Sequence, residues 1–520
     1  MLVSILTWYL ASQCFAAVGL PIAFAALRRL PSRGYATAKA LGLLLTGVVF
    51  WWGGTLRLWP NNGSAVLASG GLVLATGLLL MRGHWTDTHA WWQRHRQHVL
   101  VVEGLFAASI VGWALVRSTQ PQLQTAGGEK WMEIAYLNAT LRTPFMPPHD
   151  PWLSGFAISY YYLGYLLLAL VTRVTQISPT IAFNLGNAGW FGLVAIQAYG
   201  IVYDMLPGSP DDHPARRRVC RALVAPVMLL ITGNGVGLLE VMHARGLLPA
   251  SFWRWLDIGR LSEPPQPPFS WIPQRFFWWW QASRTIRDIT PWGDPQEVID
   301  EFPAFSFILG DMHPHLLALP FVLIAVTLAL HAYTLARDPR NNPQQGDDHA
   351  PSSGFTARQW SVAGWVAHLA RTISPSGIAR SCGYAVVLGA LGFLNTWDFP
   401  IYWALLVGAW VLGRFAHTQG SPAMGERFRA FFRILWQTVP GAIALGVLSV
   451  VLYLPFWIAL RSQAGGILPN LFNATRIQQF TMMFLPLAIP LSSLVIAAAR
   501  RRSIRWPYAL GLGVSLMLGI

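Results

Sequence analysis

Six ionisable side chains lie in one stretch of the sequence, residues 127–165, which is the first long polar interruption in a mostly apolar chain. They are Glu129, Lys130, Glu133, Arg142, His149 and Asp150. Burying most of these groups unpaired beside a membrane would cost several kcal/mol, so we expect them to line water or a polar ligand. A solvated loop with helix-capping carboxylates accounts for the spacing equally well.

A second concentration of ionisable residues lies in a region rich in Trp, Pro and Arg, residues 241–313, and runs a little beyond it. Its members are Arg275, Arg284, Arg287, Asp294, Glu297, Asp300, Glu301, Asp311, His313 and His315. The sequence therefore contains carboxylates, guanidinium groups and imidazoles in two separate segments. The fold of the surrounding segments determines whether these groups come close together.

The composition indicates a membrane protein, because 54% of the residues are hydrophobic, only 11% are charged and the mean hydropathy is +0.42. The net charge of +15 does not indicate nucleic-acid binding, since the Arg residues lie at the ends of apolar segments. The three cysteines, Cys14, Cys220 and Cys382, are far apart, which predicts packed thiols rather than disulfides or a metal site.

Four apolar segments open the chain, at residues 2–26, 40–56, 64–81 and 99–116, and each is near the length that a bilayer requires. The loops after the first and third segments are rich in Arg and Lys. The positive-inside rule therefore predicts that the N-terminus and the loop beginning at residue 117 lie outside.

The number of membrane crossings limits how the next segments can be assigned. An odd number of crossings must separate this outer loop from the basic cluster at 216–221, which is predicted to be cytoplasmic. Residues 180–204 are predicted to cross, whereas the tyrosine-rich segment 157–175 is predicted to be a juxtamembrane or half-inserted helix. Residues 130–142 are predicted to form a helix on the membrane surface. Its apolar stripe is Trp131, Ile134, Ala135, Asn138 and Leu141.

The remaining segments complete a prediction of an all-α polytopic membrane protein with about 11 to 12 transmembrane helices. Further spans are expected at 219–240, 314–335, two from residue 383, 437–459 and 479–498, and the apolar C-terminal end suggests a truncated chain. The predicted divisions are a four-span bundle (1–116), an outer loop with juxtamembrane helices (117–179), spans with a second outer loop (180–335, loop 241–313), a cytoplasmic linker (336–380) and C-terminal spans (381–520).

Several motifs together resemble the YYY family of bacterial and archaeal membrane proteins. They are GGEKWMEIAYLNATLR, PPHDPWLSG, the triple tyrosine Tyr160–Tyr162, EFPAFSFILGDMHPH and LNTWDFP. That family resembles the C-type glycosyltransferase superfamily, whose polytopic enzymes use polyprenyl-phosphate-linked sugars. The resemblance implies an active site in the first outer loop, followed by two juxtamembrane helices, at the outer face of the plasma membrane.

The resemblance also implies an acidic catalytic residue in that loop. The superfamily often has an Asp-Glu pair there, whereas this chain has Gly128 followed by Glu129. The general base that takes the acceptor proton is therefore either Glu129 or Asp150.

Substrate contacts are expected from both loops. Arg suits the leaving phosphate because its planar guanidinium gives bidentate hydrogen bonds at full charge. Arg284 is the first candidate, followed by Arg275 and Arg287. The other predicted substrate-binding residues are Lys130, Tyr160, Tyr161, Tyr162, Glu301 and Asp398, although Asp398 also fits a helix cap beside Pro400.

No cofactor is required by this chemistry, but Asp311, His313 and His315 could bind a divalent metal such as Mg²⁺ or Mn²⁺. An acid-rich surface loop is the simpler interpretation of the same three residues. The expected partners are a lipid-linked sugar donor and membrane lipid, with an acceptor that the sequence does not identify.

A transporter is a weaker alternative, because its ionisable residues would lie inside spans near the membrane midplane. A non-catalytic scaffold or lipid-binding protein fits the aromatic outer loops better than a transporter does. The catalytic hypothesis further predicts that Glu129 or Asp150 shares a cavity with Arg284, Glu301 and the Asp311–His315 group.

Overall fold

The computed structural model describes residues 1–123, 128–206, 214–259, 261–274, 279–290, 292–338, 375–416, 424–461 and 475–500. Almost all regular structure in these residues is helical, which confirms the predicted all-α class. Among them the strands are limited to one short antiparallel pair, β1 (Arg287–Ile289) and β2 (Pro295–Glu297), with Asp288 opposite Gln296.

The helices of the first half alternate long apolar segments with short connecting helices. They are α1 (Leu2–Ala26), α2 (Ala38–Thr55), α3 (Gly63–Leu80), α4 (Trp85–Arg94), α5 (Arg96–Thr119), α6 (Lys130–Arg142), α7 (Leu163–Thr175), α8 (Pro179–Met205), α9 (Pro214–Ala222), α10 (Val224–Leu230), α11 (Val236–Ala244) and α12 (Ala250–Leu256).

The second half also contains both long apolar helices and short helices. They are α13 (Pro303–Leu309), α14 (Pro314–Ala336), α15 (Pro375–Leu394), α16 (Asp398–Phe415), α17 (Met424–Val451), α18 (Leu454–Ala459) and α19 (Ile477–Arg500).

Two compact units divide the chain. The first consists of Met1–Pro226 and Gly310–Arg461, and the second of Val227–Leu309 and Ser462–Ile520. The second unit has its own core, in which Trp253 and Leu256 of α12 are fully buried with Val236 of α11.

Nine helices in the described residues are long and apolar enough to cross a membrane, which supports a polytopic membrane protein. They are Leu2–Ala26, Tyr35–Thr55, Gly63–Leu80, Arg96–Thr119, Pro179–Met205, Pro314–Ala336, Gly377–Leu394, Gly425–Val451 and Ile477–Ala497. The predicted four-span opening is present as α1, α2, α3 and α5.

The centre of the first unit is formed by α2 and α8, which are buried along most of their length. Close packing of α1 on α2 depends on Gly42, because an added Cβ there would overlap the carbonyl oxygen of Phe15. Small residues let membrane helices approach closely enough for their backbones to touch.

Helix α7 is short for a transmembrane element. Its 13 residues span about 20 Å at 1.5 Å per residue, against a hydrocarbon core of about 30 Å. Ten of these residues are buried within the first unit. The prediction that the segment 157–175 does not cross the membrane stays a prediction.

Two predicted spans differ from the observed helices. Residues 219–240 do not form one continuous helix, because Pro226 cannot donate a backbone hydrogen bond to Ala222 and Gly233 adopts a positive φ of 65°. Residues 437–459 belong to α17, which begins earlier at Met424, and to the separate α18.

The predicted packing of the cysteines is wrong, because Cys14, Cys220 and Cys382 are all exposed. Each lies on an outward face of a helix rather than in the core. Exposure of a thiol on an apolar helix is compatible with a lipid-facing position in a membrane protein.

Candidate functional site

The candidate site lies at the start of α6. Gly128 has a φ of 81° and lies against a carboxylate from a distant segment, since an added Cβ would be 2.7 Å from Asp311 Oδ2. Glu129 follows at the N-terminal cap of α6. Its side chain is 55% exposed, and its Oε2 lies 3.5 Å from His313 Nε2.

Helix α6 confirms the helix predicted over residues 130–142, and its buried face combines charged and apolar side chains. Lys130 and Glu133, one turn apart, are buried, whereas Trp131 is 64% exposed. Of the predicted apolar stripe, only Trp131 is exposed, and the other four residues are half-buried.

Glu133 fixes α6 to the segment that precedes α14. Its side chain is fully buried, and Oε2 accepts a 2.7 Å hydrogen bond from the backbone N–H of Met312. Oε1 has no hydrogen-bond partner among the described residues. This contact joins residues that are 179 positions apart in the sequence.

Burial raises the pKa of Glu133 well above its usual range, and the carboxylates of Asp311 and Glu129 raise it further. The Met312 N–H and the Lys130 ammonium act in the opposite direction, but burial is the largest cause. A buried acid beside two other acids keeps its proton to higher pH, because charging it would add repulsion to desolvation.

Two cations accompany this acidic group. Arg117, in the last turn of α5, is only 5% exposed and interacts electrostatically with Asp311. Its Nε and Nη2 donate hydrogen bonds to Asn184 Oδ1 at 3.2 and 3.0 Å. Lys130 is also buried; burial lowers its pKa, and Arg117 lowers it further, while Asp311 and Glu133 oppose this change.

The two histidines lie at the start of α14, where His313 is the N-terminal cap. Their Nδ1 atoms are 2.7 Å apart, so one ring must donate a proton to the other. If His313 directs Nε2–H towards Glu129, its Nδ1 is the acceptor and His315 Nδ1–H the donor, an assignment that rests on the hydrogen-bond network.

The predicted metal site is not assembled in the described residues, where no group of three or more His, Cys, Asp or Glu side chains is arranged to hold an ion. The carboxylate of Asp311 lies beside Gly128, whereas the rings of His313 and His315 face each other. We therefore assign these three residues to the charged cluster rather than to a metal.

The three tyrosines take different positions. Tyr160 is near the site, since the Glu129 charge helps to raise its pKa after the larger effect of burial. Tyr161 packs against Tyr160 with ring centroids 4.9 Å apart. Tyr162 instead is buried in the helix bundle, where its hydroxyl accepts a 2.9 Å hydrogen bond from Trp51 Nε1–H.

Asp150, the other candidate base, stabilises its own loop. Its Oδ1 accepts hydrogen bonds from the backbone N–H groups of Trp152 and Leu153, at 2.8 and 2.9 Å. This is a local turn motif of the kind that Asp commonly forms. Of the two candidates, Glu129 is therefore the one with a cross-segment contact at the cluster.

Asp398, predicted to line the site wall, is the first residue of α16. It interacts electrostatically with His315 and forms a hydrogen bond with the Asn395 side chain. The residue thus lies at the edge of the same cluster, and its position also fits the predicted helix-end role.

Two of the predicted phosphate-binding arginines, Arg284 and Arg287, are described and belong to the second unit, where each contacts a carboxylate. Arg284 Nε lies 2.9 Å from Glu297 Oε1, and its guanidinium stacks over Trp280 at 4.1 Å. Arg287 Nη1 lies 2.7 Å from Asp257 Oδ1.

Glu301 and Arg275 are also predicted to bind substrate. Glu301 Oε2 accepts a 2.7 Å hydrogen bond from the Ser306 hydroxyl within the same unit, and Arg275 lies outside the described residues. That these second-unit groups share a cavity with the first-loop carboxylates stays a prediction.

Arg117 and Asn184 belong to the cluster but are not among the site residues predicted from the sequence. Arg117 ends an apolar run on the side predicted to be outside, away from the basic loops that follow the positive-inside rule. An ionisable residue in such a position is a functional signal in membrane proteins, and it was available from the sequence.

A family model described as "Uncharacterized membrane protein (DUF2298)" matches residues 45–520. No curated protein and no solved structure matches the chain. The match covers the whole candidate cluster, from Arg117 to Asp398.

Proposed function

The chain belongs to this family of uncharacterized membrane proteins, and from the cluster around Glu129 we propose that it is an inverting glycosyltransferase. Its donor would be a polyprenyl-phosphate-linked sugar, used at the outer face of the membrane. The observation that carries the proposal is a half-exposed Glu129 carboxylate, next to His313, at the edge of a buried set of acids and cations.

Glu129 has the properties that a general base needs. Its carboxylate is accessible, whereas Glu133 is buried and its raised pKa favours the neutral form. In the transfer step the acceptor hydroxyl gives its proton to Glu129 while its oxygen bonds to the anomeric carbon. The bond from that carbon to the phosphate oxygen breaks, and its electron pair leaves with the lipid phosphate.

His313 would orient the base. A neutral His313 that directs Nε2–H towards Glu129 Oε2 holds the carboxylate on one side, and His315 fixes the tautomer through the 2.7 Å contact between the Nδ1 atoms. A base oriented in this way by a second group is common in acid–base catalysis.

The departing phosphate needs positive charge, and two cations support this part of the proposal. Lys130 follows Glu129 directly, and Arg117 interacts with Asp311 in the same cluster. Fixed cations of this kind stabilise charge as it develops, because they do not need to reorganise during the reaction.

The proposal is tested with the purified full chain in lipid nanodiscs. The substrates are a panel of synthetic polyprenyl-phosphate monosaccharides with a membrane extract as the source of acceptor, and release of polyprenyl phosphate is measured. We expect Glu129→Gln to lower the rate by about 10² to 10⁴-fold, the usual contribution of a general base.

Asp150→Asn is the matched control, because it also neutralises one loop carboxylate but sits at a turn. We expect a loss of less than about tenfold, the effect of a turn residue that does not touch the reacting atoms. An undiminished rate in Glu129→Gln would move the base to Asp150. A wild-type chain that binds the donors but releases no phosphate would favour the scaffold instead.

A further inference from the structure

A cavity of about 420 Å³ lies beside the cluster, between the beginning of α1, the end of α5 and the beginning of α8. We call it the α1–α5–α8 groove. Its volume is within the range of small-molecule sites in proteins, roughly 300 to 1,000 Å³. All three helices that border the groove are long and apolar enough to cross the bilayer.

Apolar and small polar side chains line the groove, and Arg117 adds a positive charge. Ile5, Ala114 and Leu185 contribute apolar surface, and Arg117 is the one charged side chain among the described residues that line it. The first turn of α8 also lines the groove, and the N-terminal end of a helix carries partial positive charge. The charge therefore favours an anion.

Arg117 belongs to both the groove and the cluster. One interaction of its guanidinium is with the Asp311 carboxylate, and another is with Asn184, which lines the groove. A ligand anion that contacts Arg117 from the groove would thus be separated from the acidic cluster by a single side chain.

We propose that the α1–α5–α8 groove binds the lipid phosphate end of a polyprenyl phosphate, with the phosphate on Arg117 and the first isoprenoid units against the apolar walls. This inference rests on the proposed function for the identity of the lipid. A free phosphate would gain nothing from the apolar walls, whereas a lipid buries its chain there and leaves the rest of the tail in the bilayer.

The test uses a photoreactive polyprenyl phosphate and the full chain in nanodiscs, and it measures labelling rather than transfer. We expect labelled peptides from α1, α5 and α8. Unlabelled polyprenyl phosphate should displace the probe, whereas inorganic phosphate and the uncharged polyprenol should not. Displacement by phosphatidylglycerol equal to that by polyprenyl phosphate would overturn the assignment to a polyprenyl lipid.

Two variants address the groove itself. Arg117→Gln removes the charge, and Ile181→Trp fills the rim without touching Arg117, so the inference remains testable if the first variant does not fold. We expect labelling to fall at least tenfold in each. Met205→Trp, at the exposed opposite end of α8, is the matched control and should label like the wild type.

Unchanged labelling in folded Ile181→Trp protein would overturn the inference. The failures of the two proposals are distinguishable. If labelling depends on Arg117 and Ile181 but the chain has no transfer activity, the groove proposal stands and the transferase proposal is wrong. If Ile181→Trp transfers sugar with the same dependence on donor concentration as the wild type, the transferase proposal stands and the groove proposal is wrong.

Discussion

Glu133 occupies a position where a charged carboxylate is strongly disfavoured. Its side chain is fully buried, and Asp311 and Glu129 add negative charge nearby. The single hydrogen bond from the Met312 N–H holds the residue in place without requiring ionisation. A neutral carboxyl group here links α6 to the segment that carries His313, so in the proposed reaction Glu133 would position Glu129 rather than react itself.

The first prediction concerns the pH dependence of stability. Because the pKa of Glu133 is higher in the folded than in the unfolded chain, its contribution is fully present below the unfolded value of about 4.3 and is lost as pH rises through the folded value. In this window the free energy of unfolding should fall by at most about 1.4 kcal/mol per pH unit from this group.

Glu133→Gln should remove that slope while retaining the side-chain oxygen that accepts the Met312 N–H. The measurement is the melting temperature of the purified chain in detergent at a series of pH values. A Gln variant whose pH slope equals that of the wild type would contradict a raised pKa.

At the residue scale, sequence reasoning found the ionisable residues of the first loop but not their pairing. Glu129, Lys130 and Glu133 stood out because polar residues are rare in this chain. The contact between Glu133 and Met312 was not predictable, because nothing in the sequence relates two positions 179 residues apart. The same holds for Arg117 and Asp311.

Helix α6 shows how an element can have the predicted secondary structure and still bury charged residues that were expected to line water or a polar ligand. The periodicity gave its residue range, yet the charged side chains face the core of the first unit and Trp131 faces outward. Periodicity defines two faces of a helix, but the surroundings decide which one is buried. A helix can bury charged side chains only where other charged side chains lie beside them, as they do here.

Elements with proline or glycine inside them limited the prediction of spans. Pro226 and Gly233 divide the expected helix at 219–240, whereas Pro21, Pro320 and Pro440 lie inside helices that continue. Membrane helices tolerate proline when neighbouring groups satisfy the freed carbonyl. The sequence alone does not reveal whether such neighbours exist.

The next prediction concerns the packing of α1 on α2. Gly42→Ala should lower the free energy of unfolding by about 1 to 3 kcal/mol, since the new methyl group would overlap the Phe15 carbonyl and force the two helices apart. Thermal unfolding in detergent would measure this loss.

Gly71→Ala on α3 is the control, because its Cβ would meet no atom within 4 Å. We expect it to be neutral or to stabilise by up to about 1 kcal/mol, as glycine lowers helix stability. Equal effects of the two substitutions would indicate that α1 and α2 do not pack as closely as described.

At the scale of the whole molecule, the composition and the spacing of apolar segments were sufficient for the fold class. Nine candidate spans occur in the described residues, against about 11 to 12 expected. Residues 219–240 and α16 account for two of the differences, and residues 501–520 lie outside the described part of the chain. The orientation in the membrane, which rests on the positions of Arg and Lys, stays a prediction.

That orientation is testable by cysteine labelling with an impermeant reagent. Because Cys14, Cys220 and Cys382 are exposed, they must first be replaced by Ser. We expect Ser154→Cys, at an exposed position in the first outer loop, to react in intact cells, since this loop is predicted to lie outside.

Thr86→Cys, exposed in α4 on the side predicted to be cytoplasmic, should react only after the cells are opened. Labelling of Thr86→Cys in intact cells together with protection of Ser154→Cys would invert the topology. The candidate site would then face the cytoplasm, and the proposed outer-face chemistry would be excluded.

The distance in sequence between Glu133 and Met312 also determines the delay between their synthesis on the ribosome. The ribosome must add 179 residues after Glu133 before its hydrogen-bond partner exists, which takes roughly 9 to 36 s at about 5 to 20 residues per second. During that interval the Glu133 carboxyl lacks the Met312 N–H. We therefore expect the contact between α6 and the start of α14 to be among the late steps in the assembly of the first unit.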